Sequence, residues 1–460
     1  MADLRDLLRY AADRAADYRD RVGEAPVYPY DVDLDKLRDA LGPLPDRPIP
    51  ADQVVAELAD LVEPALVGTA GPRYFGFVVG GSLDAAVAAD VLTTGWDNFA
   101  FNAVSSPGAA VVEEVTGDWL KQLLGLPSTA SYGFGTGGQS ANTIGLAAAR
   151  HQVLRAAGWD VEQDGLMGAP RIRVLANAER HATVDRSLRL LGLGAGALVP
   201  VATDDQGALD VDDLRVRLAD GVDAPMIVVL QAGNVNTGAF DDVATAAEVA
   251  HERGAWVHVD GAFGLWAAAS PRHRHLVAGV DAADSWGCDG HKWLNVPYDS
   301  GYAFCAHPDA HAASMSYTAA YLSGQGEGPV RHPGDYVIES SRRARGFATY
   351  AALRQLGRSG VADLVDRCCA LALRFAERLD GQGGIRVVND VVLNQVLLRC
   401  GDTDADTDRV LGTVQRSGVA WMGGTTWHGE RMIRLSVSSW RTTEDDVDRT
   451  ADAILAAASA

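Results

Sequence analysis

The sequence predicts an α/β chain, with a large domain on a mainly parallel sheet and a smaller α+β domain after it. Two observations carry this. From Ala51 to about His311, helix-patterned stretches such as ADQVVAELADLVEPAL and GAAVVEEVTGDWLKQLLGL alternate with short apolar runs, the arrangement of strands spaced by helices. From about Ser341 the pattern changes to a long helix, strand-like segments and a closing helix.

Residues 1–50 read as an N-terminal helix and arm. The first twenty form a charged, partly amphipathic helix, and the Pro- and Asp-rich stretch 23–50 is an extended arm with one short helix. Too little apolar surface lies there to fold alone, so the arm is expected to drape over another domain or another subunit. Residues 51–320 make the large domain. Its strands are IRVLAN (172–177), PMIVVLQ (225–231), AWVHVD (255–260) and GYAFCA (301–306), each short, β-branched or aromatic, and bounded by turn residues or charge. Residues 321–340, rich in glycine, form a mobile loop and linker. Residues 341–460 make the small domain, with RGFATYAALRQLG and VADLVDRCCALALRFAERLD as helix, IRVVN, NQVLLRC and RMIRLSVSS as strands, and TTEDDVDRTADAILAAA as the last helix.

Composition narrows the partners. A formal net charge of -21 over 460 residues argues against nucleic acid and anionic membrane, both of which attract basic surface. No window approaches the roughly 18 apolar residues of a membrane span. MADLRDLLRYAADRAADYRD is charged throughout, without the apolar core of a signal peptide. The five cysteines, Cys288, Cys305, Cys368, Cys369 and Cys400, show no CxxC pair or metal-ligand spacing. Free thiols in a reducing cytoplasm are expected, with no metal.

Chemistry is expected where strands end, the edge at which open α/β sheets bind ligands. YGFGTGGQSANTIGLAAAR (132–150) leads glycines into a helix. The free N–H groups and positive end of that helix suit a phosphate, although the motif is neither the dinucleotide GxGxxG nor a P-loop. AWVHVDGAFG (255–264) ends a strand in Asp260, which is either a cap or ion-pair partner or a carboxylate held against a cationic ring nitrogen. DSWGCDGHKWLNVPYDSGYAF (284–304) sets Lys292 among aromatic and small residues, where an ammonium loses hydration. A lysine of depressed pKa there is a candidate for a Schiff base. Lys292 follows Asp260 by enough chain for one helix and one strand, so the two can stand on adjacent strand ends. His181, in NAERHATVDRSLRLLG, follows a strand and opens a helix, as a cap or as part of the site.

In this order, TGGQSAN, His181, HVDGAFG and DGHKW resemble the group II pyridoxal-phosphate-dependent amino-acid decarboxylases, which include the aromatic-L-amino-acid, tyrosine and glutamate enzymes. RYFGFVVGG, SRRARGFATYAALRQLG and RMIRLSVSSWRTTEDDV extend the likeness from about Pro72 to Thr443. The resemblance implies fold type I with a seven-stranded sheet, pyridoxal 5'-phosphate as cofactor, an amino acid as substrate and a homodimer. It implies Lys292 as the Schiff-base lysine, His291 beside it near the phosphate, and Asp260 on the pyridinium nitrogen. Ala262 would lie against the ring, His181 would stack on its other face, and Gly138, Gln139 and Ser140 would hold the phosphate. Tyr321 matches the loop tyrosine of the aromatic decarboxylases. Phe77, Val78 and Phe101 fall at the substrate pocket, Phe101 reaching across the dimer.

The match loosens in places. QAGNVNTGAFDDV (231–243) carries Asn234, Val235 and Asn236 where the family commonly has a Thr-rich run. The pocket positions are apolar, which disfavours a second substrate carboxylate. His332, in the loop, is expected to be solvated rather than a proton donor. The reading is α-decarboxylation of an L-amino acid with an aromatic or apolar side chain. The family's loop tyrosine accompanies the amine product, and phenylalanine there accompanies oxidative decarboxylation to an aldehyde. That aldehyde chemistry, carbon–carbon lyase or aldolase chemistry on the same scaffold, and a cofactor-binding protein without turnover are the alternatives.

Overall fold

A computed structural model describes residues 3–220, 224–317 and 331–460. These pack as two compact units, one of residues 80–372 and 389–395, the other of residues 1–79, 373–388 and 396–460.

The larger unit holds a seven-stranded sheet. Its strands are β1 (Ser131–Gly135), β2 (Arg173–Asn177), β3 (Leu198–Val201), β4 (Met226–Gln231), β5 (Trp256–Asp260), β6 (Ser285–Asp289) and β7 (Gly301–Cys305). They lie in the order β1-β7-β6-β5-β4-β2-β3. The neighbours from β6 through β5, β4 and β2 to β3 are parallel, whereas β7 runs antiparallel to both β6 and β1. Strands buried on both faces read as unbroken apolar runs, and MIVVLQ in β4 and WVHVD in β5 are buried at every position. The helix Gly138–Ala156 supplies Leu146, Ala148, Ala149, Val153 and Leu154 to a core shared with Val174, Ala176, Ile227 and Val229.

Two departures from the expected alternation shape the site. Between β5 and β6 the structure has three 3-10 segments, Gly264–Ala269, Arg274–Val277 and Val280–Ala282, where one α-helix was expected. After β6 the chain returns directly as antiparallel β7. Residues 290–300, which contain Lys292, therefore form a connection at the strand end rather than the start of a helix.

The smaller unit carries a four-stranded sheet in the order β10-β11-β9-β8, from β8 (Ile385–Val387), β9 (Gln395–Cys400), β10 (Gly423–Trp427) and β11 (Glu430–Ser436). Its helices Asp404–Ser417 and Glu444–Ser459 both begin in capping boxes, Thr403 with Asp406 and Thr443 with Asp446. The N-terminal residues belong to this unit. Val27 N–H donates to the Gly418 carbonyl, Arg441 reaches the Arg19 carbonyl, and Arg73 pairs with Asp446 at 2.9 Å with both side chains buried. This grouping differs from the divisions expected at residues 50 and 340, because Asp60 and Glu63 pair with Arg14 and Arg21 of the first helix and Arg73 and Phe75 hydrogen-bond to Trp421.

In the larger unit, Arg342 and Glu113 are each 1% exposed and form a forked pair at 2.7 and 2.8 Å, and Arg342 also donates to the Phe134 carbonyl of β1 at 3.0 Å. Removing one member leaves a buried charge unpaired. Arg342→Leu should therefore cost about 3–5 kcal/mol, and adding Glu113→Leu should recover much of that. Urea midpoints of the two variants check this; equal midpoints would show that the pair does not behave as a coupled buried charge.

Candidate active site

Parallel pairing of β5 with β6 matches Asp260 with Gly287, so the acids that end these strands, Asp260 and Asp289, stand at one sheet edge. Lys292 follows in the β6–β7 connection, partly buried, with its Nζ 2.9 Å from Asp289 Oδ2. Burial alone would lower its pKa. Asp289, as charge and hydrogen-bond acceptor, and Asp260, as charge, outweigh that, so Lys292 lies above the ordinary lysine value. In the protein alone Lys292 is thus an ion-paired ammonium, which corrects the expectation of an amine with a depressed pKa. The second carboxylate, Asp289, is what the expectation left out.

The wall beside Lys292 is built from its own connection. The His291 ring stacks on Tyr298 with centroids 4.3 Å apart, and its Nδ1 accepts from Ser300 N–H at 3.1 Å. Nε2 therefore carries the hydrogen in the neutral ring, 3.5 Å from Asp289 Oδ1. Burial, the largest influence, lowers the His291 pKa. Arg345 braces this wall through Asp299 at 2.6 and 3.1 Å.

The glycine turn packs against this wall, where a Cβ at Gly137 would lie 2.9 Å from the His291 ring. The helix begins at Gly138, so the N–H groups of Gly138, Gln139 and Ser140 have no acceptor within it. Gly138 N–H donates to Asp289 Oδ1. A side chain at Gly138 is excluded, since a Cβ would lie 2.8 Å from Asp289 Oδ2. The Ser140 hydroxyl is buried and has no hydrogen-bond partner, an unusual state for a buried polar group and one that a bound anion would relieve. The Gln139 side chain is committed elsewhere, to Ser187 Oγ at 2.9 Å and the Thr183 carbonyl at 3.3 Å; its backbone N–H remains the group that an anion would meet.

Asp260 is 5% exposed and held from three sides. Oδ2 accepts from Asn142 Nδ2 at 2.9 Å and lies 3.5 Å from Thr183 Oγ1, and Oδ1 accepts from Ala262 N–H at 3.2 Å. Behind it runs a buried chain with one consistent set of donors. Trp256 Nε1–H donates to Ser285 Oγ at 2.9 Å, and Ser285 donates to His258 Nδ1 at 2.8 Å. His258 Nε2–H then donates to Asn142 Oδ1 at 3.1 Å, which turns the Asn142 amide hydrogens toward Asp260. Both His258 nitrogens are satisfied in the neutral form, and burial brings its pKa down to about 4. The ring fits because Gly145 faces it, where a Cβ would lie 2.6 Å from His258.

His181 is the N-cap of the helix Ala182–Leu190, its Nδ1 accepting from Thr183 N–H at 3.3 Å and lying 2.9 Å from Thr183 Oγ1. Thr183 thereby links His181 to Asp260. Asn234 ties the turn after β4 to the segment before His181, donating to the Glu179 carbonyl at 3.2 Å. Phe101 is partly buried, 6.3 Å from the Tyr317 ring, and its carbonyl accepts from Gly334 N–H. His332 is buried rather than solvated, with its Nδ1 accepting from Ala103 N–H at 3.4 Å. Tyr321 lies outside the described residues. Phe77 and Val78 belong to the smaller unit. Both have left-handed backbone, at φ 59° and 86°, uncommon for any side chain and strained for a β-branched one. Phe77 is 65% exposed, its ring 5.6 Å from Trp421, which in turn stacks on Tyr74 at 5.1 Å.

A fixed, buried carboxylate, a lysine, an anion-receiving helix start and the small residue Ala262, gathered where β5 and β6 end, fit pyridoxal phosphate. Asn142, Thr183, His258, Ser285 and Asp289 are the members that reading the sequence missed. A histidine inside the apolar strand WVHVD was the available signal, because a buried polar side chain needs partners.

His258 also makes a pH prediction. Its folded-state pKa of about 4 lies below the ordinary 6.5, so on acidification the unfolded chain binds the proton first. Stability is unaffected above pH 6.5 and falls as pH drops toward 4, with His258 contributing about 2 kcal/mol of loss between pH 7 and 5. In urea titrations of cofactor-free protein, His258→Gln should lose less stability than the parent over that interval. An equal loss in both proteins would contradict the buried neutral imidazole.

Comparison with known proteins places this geometry in a family. The family model described as "Pyridoxal-dependent decarboxylase conserved domain" matches residues 36–400. Tryptophan decarboxylase 1 of Oryza sativa subsp. japonica is 28% identical, over 95% of this chain and 90% of its own. 4-Hydroxyphenylacetaldehyde synthase of Rhodiola rosea is 27% identical, over 88% of this chain and 86% of its own. The crystal structure of Oryza sativa TDC with PLP and tryptamine superposes with a TM-score of 0.93 at 26% identity, covering 99% of this chain and 97% of that one. Among the described residues no helix is long and apolar enough to cross a membrane. The chain belongs to the pyridoxal-dependent decarboxylases and is a fold-type-I, pyridoxal-phosphate-dependent carboxy-lyase.

Proposed function

We propose that the protein removes CO2 from an aromatic L-amino acid and releases the amine, working as a homodimer. The observation that carries this reading is the gathering of Asp260, Lys292 and the Gly138 turn where β5 and β6 end, with Asp260 tied to Asn142 of the helix that the turn opens and Asp289 joining Gly138 to Lys292. Bound there, pyridoxal phosphate supplies the electron sink for the carbanion left at Cα when CO2 departs. Asp260, its carboxylate fixed by Asn142 and Ala262 N–H, would keep a proton on the ring nitrogen. Lys292 offers the amine that anchors the cofactor. Ser140, the first-turn N–H groups and His291 would hold the phosphate, while His181 and Ala262 would bracket the ring.

The substrate side chain is assigned to Phe77, Val78 and Phe101. An exposed Phe77 ring seated on Trp421 supports an aromatic preference, since offset-stacked and edge-to-face ring contacts add to area burial. Phe101 would come from the partner subunit. Tyr321 supports the amine as product, because a phenol within reach of Cα can deliver a proton to it. The aldehyde alternative has its own support in the Rhodiola rosea relative, whose name is that of an aldehyde synthase.

Product analysis separates the two. Cofactor-loaded protein incubated under air with pooled L-amino acids should yield an aromatic amine one-for-one with CO2 and no peroxide. Tyr321→Phe should divert product to aldehyde with peroxide. Aldehyde from the unaltered protein, or cleavage without CO2, would overturn the proposed reaction while leaving the family intact.

A further inference from the structure

The turn that would receive the cofactor's phosphate already holds an anion. Asp289 ends β6 with its side chain 1% exposed. Oδ1 accepts the Gly138 N–H at the start of the helix and lies 3.5 Å from His291 Nε2, while Oδ2 lies 2.9 Å from the Lys292 ammonium. A helix N-terminus, an imidazole N–H and an ammonium are the donors that a phosphate would use. Here they converge on a carboxylate of the chain itself, beside the unpartnered Ser140 hydroxyl.

Two neighbouring anions in a buried cradle cannot both stay fully ionised without a proton or cation between them. The cation that Asp289 has is Lys292, a single positive charge already under the influence of Asp260 as well, and it cannot also balance a dianionic phosphate. The other titratable groups around Asp289 bring no second cation at neutral pH. Asp260, from β5, is an acid; burial holds the Cys288 thiol and the Tyr302 phenol protonated and lowers the pKa of His291.

We propose that Asp289 is a resident anion of the phosphate cradle: it occupies the Gly138 and Lys292 donors until the cofactor arrives, and the phosphate enters with uptake of about one proton, shared between a carboxylate and a phosphate oxygen. The inference rests on the reading of this site as the pyridoxal-phosphate site. Its consequence is a cofactor affinity that falls with rising pH. The carboxylate positions Lys292 but opposes the phosphate, so a neutral residue in its place frees the cradle.

The test uses the full chain stripped of cofactor and 4-deoxypyridoxine 5'-phosphate, a probe with ring and phosphate but no aldehyde, so that Lys292 cannot condense with it. Calorimetry at pH 8 in buffers of different ionisation heat counts the protons taken up. The unaltered protein should take up about one, and its affinity should fall roughly tenfold per pH unit above neutrality. Asp289→Asn and Asp289→Ser should take up almost none and bind the probe about tenfold more tightly at pH 8. Equal proton counts and equal affinities in parent and variants would overturn the role of Asp289, as would weaker binding by both variants at every pH. A parent protein that binds the probe without proton uptake would overturn it even if neither variant folds. A parent protein that binds neither probe nor pyridoxal phosphate would instead overturn the reading of the site.

Discussion

Three charges at the ends of two neighbouring strands govern this site. Lys292 lies under the influence of two buried carboxylates, Asp289 in direct contact at 2.9 Å and Asp260 through its field. Removing an ammonium from water is costly unless it is paired, and here the pairing more than offsets the burial. The sheet makes the arrangement possible. Parallel β5 and β6 bring their acidic ends to one edge, and the antiparallel return through β7 keeps Lys292 in a short connection above them. A helix after β6 would have carried the lysine away along a helix axis.

The two acids are held differently. Asp260 is backed by a hydrogen-bond chain that begins at Trp256 and fixes the carboxylate through Ser285, His258 and Asn142. The chain fixes the Asn142 amide with its oxygen on His258 and its hydrogens toward Asp260 and Thr183, which holds the acid in one orientation. A carboxylate set to retain a proton on a ring nitrogen benefits from such preorganisation, because no reorganisation is needed when charge develops. Asp289 instead accepts from groups that an incoming anion would also seek. It holds the lysine in place at the cost of occupying the cradle.

Much of this was legible in the sequence because the rare features are local. Apolar strands between turn residues betrayed β2, β4, β5 and β7. The runs of β1 (SYGFG), β3 (LVPV) and β6 (SWGCD) did not stand out, being short and interrupted by glycine, proline or polar residues. IRVVN, NQVLLRC and RMIRLSVSS announced three strands of the smaller sheet, and β10, with GGTTW, carried too little apolar pattern. Asp260 and Lys292 were visible as charges at strand ends. Asn142, His258 and Ser285 were not, because each is an ordinary polar residue whose meaning lies in a partner far along the chain. Asp289 was in plain view within DGHKW, but only the fold shows that its carboxylate meets the glycine turn some 150 residues earlier. The grouping of residues 1–79 with the C-terminal segments was hidden for the same reason.

The central claim is that Lys292 anchors the cofactor. Borohydride reduction of the cofactor-loaded protein, followed by digestion and mass spectrometry, tests it most directly. The account predicts a single reduced pyridoxyl adduct on Lys292, absent in Lys292→Ala although that variant still folds. A reduced adduct on another lysine, or an undiminished adduct in Lys292→Ala, would contradict it.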